Sequence, residues 1–76
     1  MSVKVVLFGR LTDIAGGSII VNDVSDTNSL VQMLHKKYPT FANTKYLIAV
    51  DKEVIKGNTI LKNNSMVALL PPFSGG

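Results

Sequence analysis

Along one stretch of this chain the apolar residues recur at helical spacing. Leu30, Val31, Leu34 and Tyr38 form a single stripe, whereas the other hydrophobic runs are short, β-branched and bounded by turn residues. The chain has 76 residues and no cysteine, so no disulfide staples it and no thiol serves as nucleophile or metal ligand. A domain this small buries only about 60% of the surface its unfolded chain exposes. It is 46% hydrophobic and 17% charged, a composition that argues against disorder. These limits predict a single α+β domain over residues 1–76: a small mixed sheet of about four to five strands, crossed by one main helix. One helix covers one sheet face and leaves the other partly bare.

The segments follow from local chemistry. Val3 to Phe8 reads as a strand, and both of its faces are apolar. Val3, Val5 and Leu7 share one face; Val6 and Phe8 share the other, between Lys4 and Arg10. Such a strand is central in its sheet or carries a partner surface. Leu11 to Gly17 is expected as a turn, and Ser18 to Val21 as the second strand of a hairpin. Thr27 is the expected helix N-cap, with Ser29 and Gln32 as an alternative capping box. Pro39 ends the helix, because the residue before a proline avoids helical backbone. Thr40 to Lys45 is expected as loop, with Phe41 packed as a plug. Tyr46 to Val50 is a third strand, and Lys52 to Gly57 a short irregular strand and turn. Asn63-Asn64-Ser65 turns the chain into a last strand, Met66 to Leu70. On the sheet face that the helix leaves bare, Phe8 and Leu70 are the candidate partner surface.

Several function classes drop out. His35 is the single histidine; a solvated or helix-packed role suits it better than a base or ligand. Asp23 and Asp26 flank the helix start, where carboxylates favour the helix dipole, and Lys36-Lys37 complement its other end. Gly16-Gly17 lacks the Lys-Ser/Thr and the long helix of a phosphate loop. Metal-ligand spacing is absent, so no metal or cofactor is expected on this chain. The net charge is +3, but the basic residues are scattered along the sequence, so no nucleic-acid patch is expected. No apolar run reaches the roughly 18–20 residues of a membrane span, and no signal-peptide pattern opens the chain. The chain is read as mature and cytoplasmic.

What remains is the ending, Pro71-Pro72-Phe73-Ser74-Gly75-Gly76. The two prolines lack N–H groups, so the strand ladder stops there and the exit stays extended. A pre-extended tail loses less entropy when a partner grips it. Phe73 can anchor in a pocket, while Ser74, Gly75 and Gly76 are slim enough to thread a channel that side chains would block. The α-carboxyl of Gly76, with an ordinary pKa of about 3.3–3.7, is an anion at neutral pH. It is a poor electrophile until activated. Adenylation with ATP is the plausible route, and this chain shows no nucleotide site. By elimination, Gly76 is the reactive position.

These residues resemble the small subunits of molybdopterin synthase, the MoaD-type sulfur carriers with a ubiquitin-like β-grasp fold. The resemblance runs over nearly the full length. Val5-Val6-Leu7-Phe8-Gly9-Arg10-Leu11, with Ile14-Ala15-Gly16, is similar to the opening strand and turn of that family. Thr27 with Leu30 resembles its helix start, and Ile48-Ala49-Val50 its third strand. Val67-Ala68-Leu69-Leu70-Pro71-Pro72-Phe73-Ser74-Gly75-Gly76 resembles its signature. The resemblance implies that an E1-like adenylating enzyme activates Gly76, that a sulfur donor protein converts it to a thiocarboxylate, and that the tail enters the large synthase subunit. There the sulfur would pass to a pyranopterin precursor of the molybdenum cofactor. It implies a non-catalytic subunit of a heterotetramer whose catalytic pocket lies on the large subunit, with Phe8 and Leu70 at the interface. Two places depart from the family: Asn63-Asn64-Ser65-Met66 stands where an acidic turn is common, and Asp51 where Asn is common. Two other fates share the same ending, a ubiquitin-like modifier joined to lysines through Gly76 and a thiamine-pathway sulfur carrier, although the latter usually lacks Pro-Pro-aromatic.

Overall fold

The computed structural model of the chain describes residues 2–72. Five strands build one mixed sheet: β1 (Ser2–Leu7), β2 (Ser18–Asn22), β3 (Leu47–Val50), β4 (Glu53–Val54) and β5 (Met66–Leu70), in the order β2-β1-β5-β3-β4. The central pair, β1 and β5, is parallel, and the other pairs are antiparallel. β1 has neighbours on both sides, as its apolar residues lead one to expect of a central strand; Val3, Val5 and Leu7 face the core, and Val6 and Phe8 lie on the opposite face. The main helix, α2 (Thr27–Lys37), lies across one face. Val3, Val5 and Leu7 of β1 and Val67 and Leu69 of β5 join Leu30 and Leu34 of α2 in the core. Phe41 fills the end of that core, meeting Tyr38 and Tyr46 edge-on at centroid distances of 6.0 and 5.7 Å. It is the plug expected from the sequence.

The structure corrects several local expectations. β1 stops at Leu7, but Phe8 stays extended and its N–H donates to the Leu69 carbonyl at 3.1 Å. The expected turn after it is a 3-10 turn, Gly9–Leu11, running into a short helix, α1 (Thr12–Ala15). The Thr12 hydroxyl donates to the Gly9 carbonyl at 2.8 Å, and Gly16, at φ +85°, stops the helix. Pro39 does end α2 after Lys37, yet part of the expected loop winds as a second 3-10 turn, Pro39–Asn43. β3 begins at Leu47 rather than Tyr46. Val31 and Tyr38 of the expected helical stripe are only half-buried.

The cap of α2 also differs. Asp26, not Thr27, is the N-cap: its Oδ1 accepts from the Ser29 N–H at 2.9 Å. Thr27 is the first helical residue and is only 2% exposed. Its hydroxyl accepts from Thr59 N–H at 2.9 Å and donates to Asn58 Oδ1 at 3.3 Å. Asn58 acts as a second cap from far along the chain. Its Oδ1 accepts from Asn28 N–H at 2.8 Å, and its Nδ2 donates to Asp26 Oδ2 at 3.1 Å. With the Thr27 N–H donating to the Thr59 carbonyl at 2.9 Å, three of the orphan N–H groups at the helix start are satisfied, one locally and two across the fold. A threonine so fully claimed by distant partners is not free to cap.

Candidate functional site

β5 carries the chain to the site. Its last residue, Leu70, pairs with Leu47 of β3, and Pro71 and Pro72 follow at once. Neither proline can donate to a ladder, so pairing ends where the sequence requires it to. Pro71 is half-buried because it packs on Gly9. A Cβ built on Gly9 would lie 2.7 Å from Pro71 Cγ, far inside contact distance, and Gly9 has a φ of +59°. Glycine is required there both for close approach and for backbone conformation. Phe73, Ser74, Gly75 and Gly76, the expected anchor, clearance and reactive end, lie outside the described residues.

The sheet face away from α2 is the second part of the site. Strand alternation sends Leu7 and Leu69 into the core, so Phe8 and Leu70 belong to the open side next to the tail exit. Phe8 is 46% exposed, and Leu70 is half-buried. Register extends this surface beyond the two residues singled out in the sequence. Val6, Ala68, Ala49 and Val54 align across β1, β5, β3 and β4, and Leu47 sits opposite Leu70. A third row runs Ile20, Lys4, Met66, in which Ile20 is 62% exposed. Lys4 is the charged member of these rows. Period-two alternation marks each strand's outward residues. What is invisible before folding is which strands are neighbours, and so which of these residues meet.

Beside the tail exit a groove of about 430 Å³ is lined by Arg10, Leu11, Thr44, Lys45, Pro71 and Pro72. Arg10 and Lys45 lie 35 positions apart in sequence, and the fold brings both to this one place.

His35 has a structural task. Its Nε2 is 2.9 Å from the Tyr46 hydroxyl, and the rings meet edge-on. Burial pushes the Tyr46 hydroxyl above its ordinary pKa. The pair ties the end of α2 to the start of β3. Among the described residues, no cluster of His, Asp and Glu forms a metal site, and no helix is long and apolar enough to cross a membrane.

A mixed five-stranded sheet with a parallel central pair, crossed by one main helix and ending in a proline-braced exit, defines a ubiquitin-like β-grasp domain. Residues 5–76 match the model of the ThiS family, and the chain belongs to that family. It is 33% identical over 81 residues to the molybdopterin synthase sulfur carrier subunit of Dictyostelium discoideum, with 96% of this chain and 94% of that one covered. Among solved structures it is similar to a complex of subunits 1 and 2 of molybdopterin-converting factor from Helicobacter pylori. There the identity is 29%, the TM-score is 0.76, and 100% of both chains is covered. The small archaeal modifier protein 1 of Methanosarcina acetivorans shares the fold, with a TM-score of 0.82 at 23% identity over 99% of this chain and 96% of that one. The resemblance drawn from the opening strand and the tail agrees with these likenesses.

Proposed function

We propose that this chain is the sulfur-carrying small subunit of a molybdopterin synthase. The observation that carries the reading is Pro71 seated on Gly9, which sets the exit of the last strand beside an open apolar face. The likeness to the Dictyostelium sulfur carrier subunit and to the Helicobacter pylori complex of subunits 1 and 2 supports it. In this reading Gly76 is the reactive end. Its carboxylate attacks the α-phosphorus of ATP on an E1-like partner, giving an acyl-adenylate and pyrophosphate. A sulfur donor protein then supplies a sulfide equivalent that displaces AMP and leaves a thiocarboxylate. That sulfur passes to a pyranopterin precursor on the large subunit, and water restores the carboxylate. ATP is bound by the partner and not by this chain.

Each part of this chain then has a mechanical role. The prolines limit the directions in which the tail leaves the sheet. Phe73 anchors it, and Ser74 and Gly75 pass the narrow part of the partner's channel. Phe8, Leu70 and their neighbours bury apolar surface against the large subunit. Full burial of a Leu or Phe side chain contributes about 1.5–3 kcal/mol relative to leaving it in water.

The test is to incubate the chain with its activating enzyme, ATP and a sulfur donor, and to weigh it. The expected product has one terminal oxygen replaced by sulfur, and an unchanged mass sinks the reading. The same protein extended by one residue after Gly76 should fold normally and accept no sulfur.

A further inference from the structure

β1 starts at Ser2 opposite Asn22, and β5 starts at Met66, whose N–H donates to Asp51 Oδ1 at 3.1 Å. Asp51 and Glu53 lie at that end of the sheet, and Asp23 and Asp26 follow β2 where it also ends there. Four of the five side-chain carboxylates are therefore at the end opposite the tail, where Lys4, opposite Met66, and Lys52, between Asp51 and Glu53, offset part of their charge. The fifth, Asp13, is exposed on α1. At the tail end Arg10 and Lys45 line the groove on Pro71 and Pro72, and α2 carries Lys36 and Lys37 in its last turn.

The groove is built for more than a point charge. Leu11 is buried at its base, the two proline rings give it an apolar side, and two exposed cations belong to its rim. Among the described residues, no side-chain hydrogen bond engages Arg10 or Lys45. The Thr44 hydroxyl is already committed to the Thr40 carbonyl at 2.8 Å, so the cations supply the polar recognition. An arginine fork accepts a carboxylate in bidentate fashion, and a lysine adds a mobile charge. At about 430 Å³ the volume lies within the roughly 300–1,000 Å³ of ligand pockets.

We propose that this groove docks an acidic peptide segment of the protein that receives the tail, with carboxylates on Arg10 and Lys45 and a small apolar side chain against Pro71 and Pro72. Charge complementarity selects this occupant: the two charged side chains that line the groove, Arg10 and Lys45, are both cations. The inference rests on the carrier reading, because it assumes a partner that grips the tail base. It deepens that reading by naming the chemistry of the grip. Since the prolines form one wall, an occupied groove also holds the first residues of the tail in place.

The probe is a short synthetic peptide of glutamates around one leucine, titrated into the full isotope-labelled chain and followed by its amide resonances. Saturable shifts are expected at Arg10, Leu11, Thr44 and Lys45, with affinity falling about tenfold or more as salt rises from about 0.02 M to about 0.3 M. An Arg10→Glu/Lys45→Glu chain should lose them, and a milder Arg10→Gln/Lys45→Gln chain should weaken them. Both cations are exposed, so the substitutions spare the core. Shifts spread evenly over every lysine, an affinity equal in the double variant, or tighter binding of a single-stranded oligonucleotide at the same amides would each overturn the assignment. The mass measurement keeps the two ideas apart. Sulfur loading without groove shifts removes the groove and leaves the carrier, and groove shifts without sulfur loading do the reverse.

Discussion

Gly9 and Pro71 occupy each other's space so closely that a single methyl group would part them. A Cβ at position 9 would stand 2.7 Å from Pro71 Cγ, and the Gly9 φ of +59° is itself disfavoured for any residue with a Cβ. Gly9→Ala should therefore cost about 1–3 kcal/mol in stability, from the left-handed backbone and the forced shift of the proline. For a domain of this size each kcal/mol lowers the midpoint by about 4–8 °C. Calorimetry checks the stability, and the rate of sulfur loading checks the tail. A variant that melts with the parent and loads at the parent rate would show that Pro71 can settle elsewhere.

The open face yields a second expectation. Phe8 is 46% exposed and sits beyond the end of β1, so its replacement leaves the core untouched. Phe8→Arg should keep the parent melting point and weaken binding to the large subunit by at least about tenfold, as the loss of an aromatic anchor does. Isothermal titration against that subunit measures it. Unchanged affinity removes Phe8 from the interface.

The helix cap carries a pH dependence. Hydrogen bonds from the Ser29 side chain, then the Ser29 backbone amide, then the Asn58 side chain hold the Asp26 carboxyl below its ordinary range. A depressed carboxylate stabilises the fold above its unfolded pKa of about 3.9, and that contribution is lost as pH falls through the lower folded value. The parent should thus lose part of its stability below about pH 4. Asp26→Asn, which can still accept from Ser29, should flatten this part of the acid limb while leaving α2 capped. Chemical denaturation at a series of acidic pH values compares the two, and parallel acid limbs would contradict the assignment.

A turn remote from the site offers a stabilising change. Asp51 and Lys52, at φ 48° and 77°, make the tight connection between β3 and β4, where Val50 pairs with Glu53. Positive φ at both central residues is the pattern that favours Asn or Asp followed by Gly. Asp51 fits it and receives the Met66 N–H as well; Lys52 does not fit. Lys52→Gly should raise stability by about 0.5–1 kcal/mol, read as a higher thermal midpoint. A lower midpoint would mean that the chain entropy added by glycine outweighs the relieved strain.

How much of this was visible in the residues depends on range. Met66–Leu70, the Asn63-Asn64 turn and the end of α2 before Pro39 follow from local chemistry, and they fold as read. Phe41 as a plug and Phe8 as an exposed aromatic were also legible. The cap of α2 depends on partners far along the chain. Nothing near Thr27 announces that Thr59 and Asn58 will claim its hydroxyl. Leu61, between Ile60 and Lys62, gives no periodic signal, yet it enters the core because its N–H donates to the Ser25 carbonyl at 2.8 Å. α1 does carry a local signal, the spacing of Leu11, Ile14 and Ala15 on one helical side. For the site, the ending sets the expected chemistry, while Gly9 beneath Pro71 and Arg10 with Lys45 in one groove need the fold.

The place of β5 in the sheet has a mechanical consequence. It is bonded to β1 on one side and β3 on the other, parallel to the first and antiparallel to the second. A pull on the tail along the strand axis loads both ladders in shear, so several bonds must fail together rather than one at a time. A force applied at Pro71 is therefore spread over the whole sheet, and the domain can hold its shape while the end of its central strand is pulled.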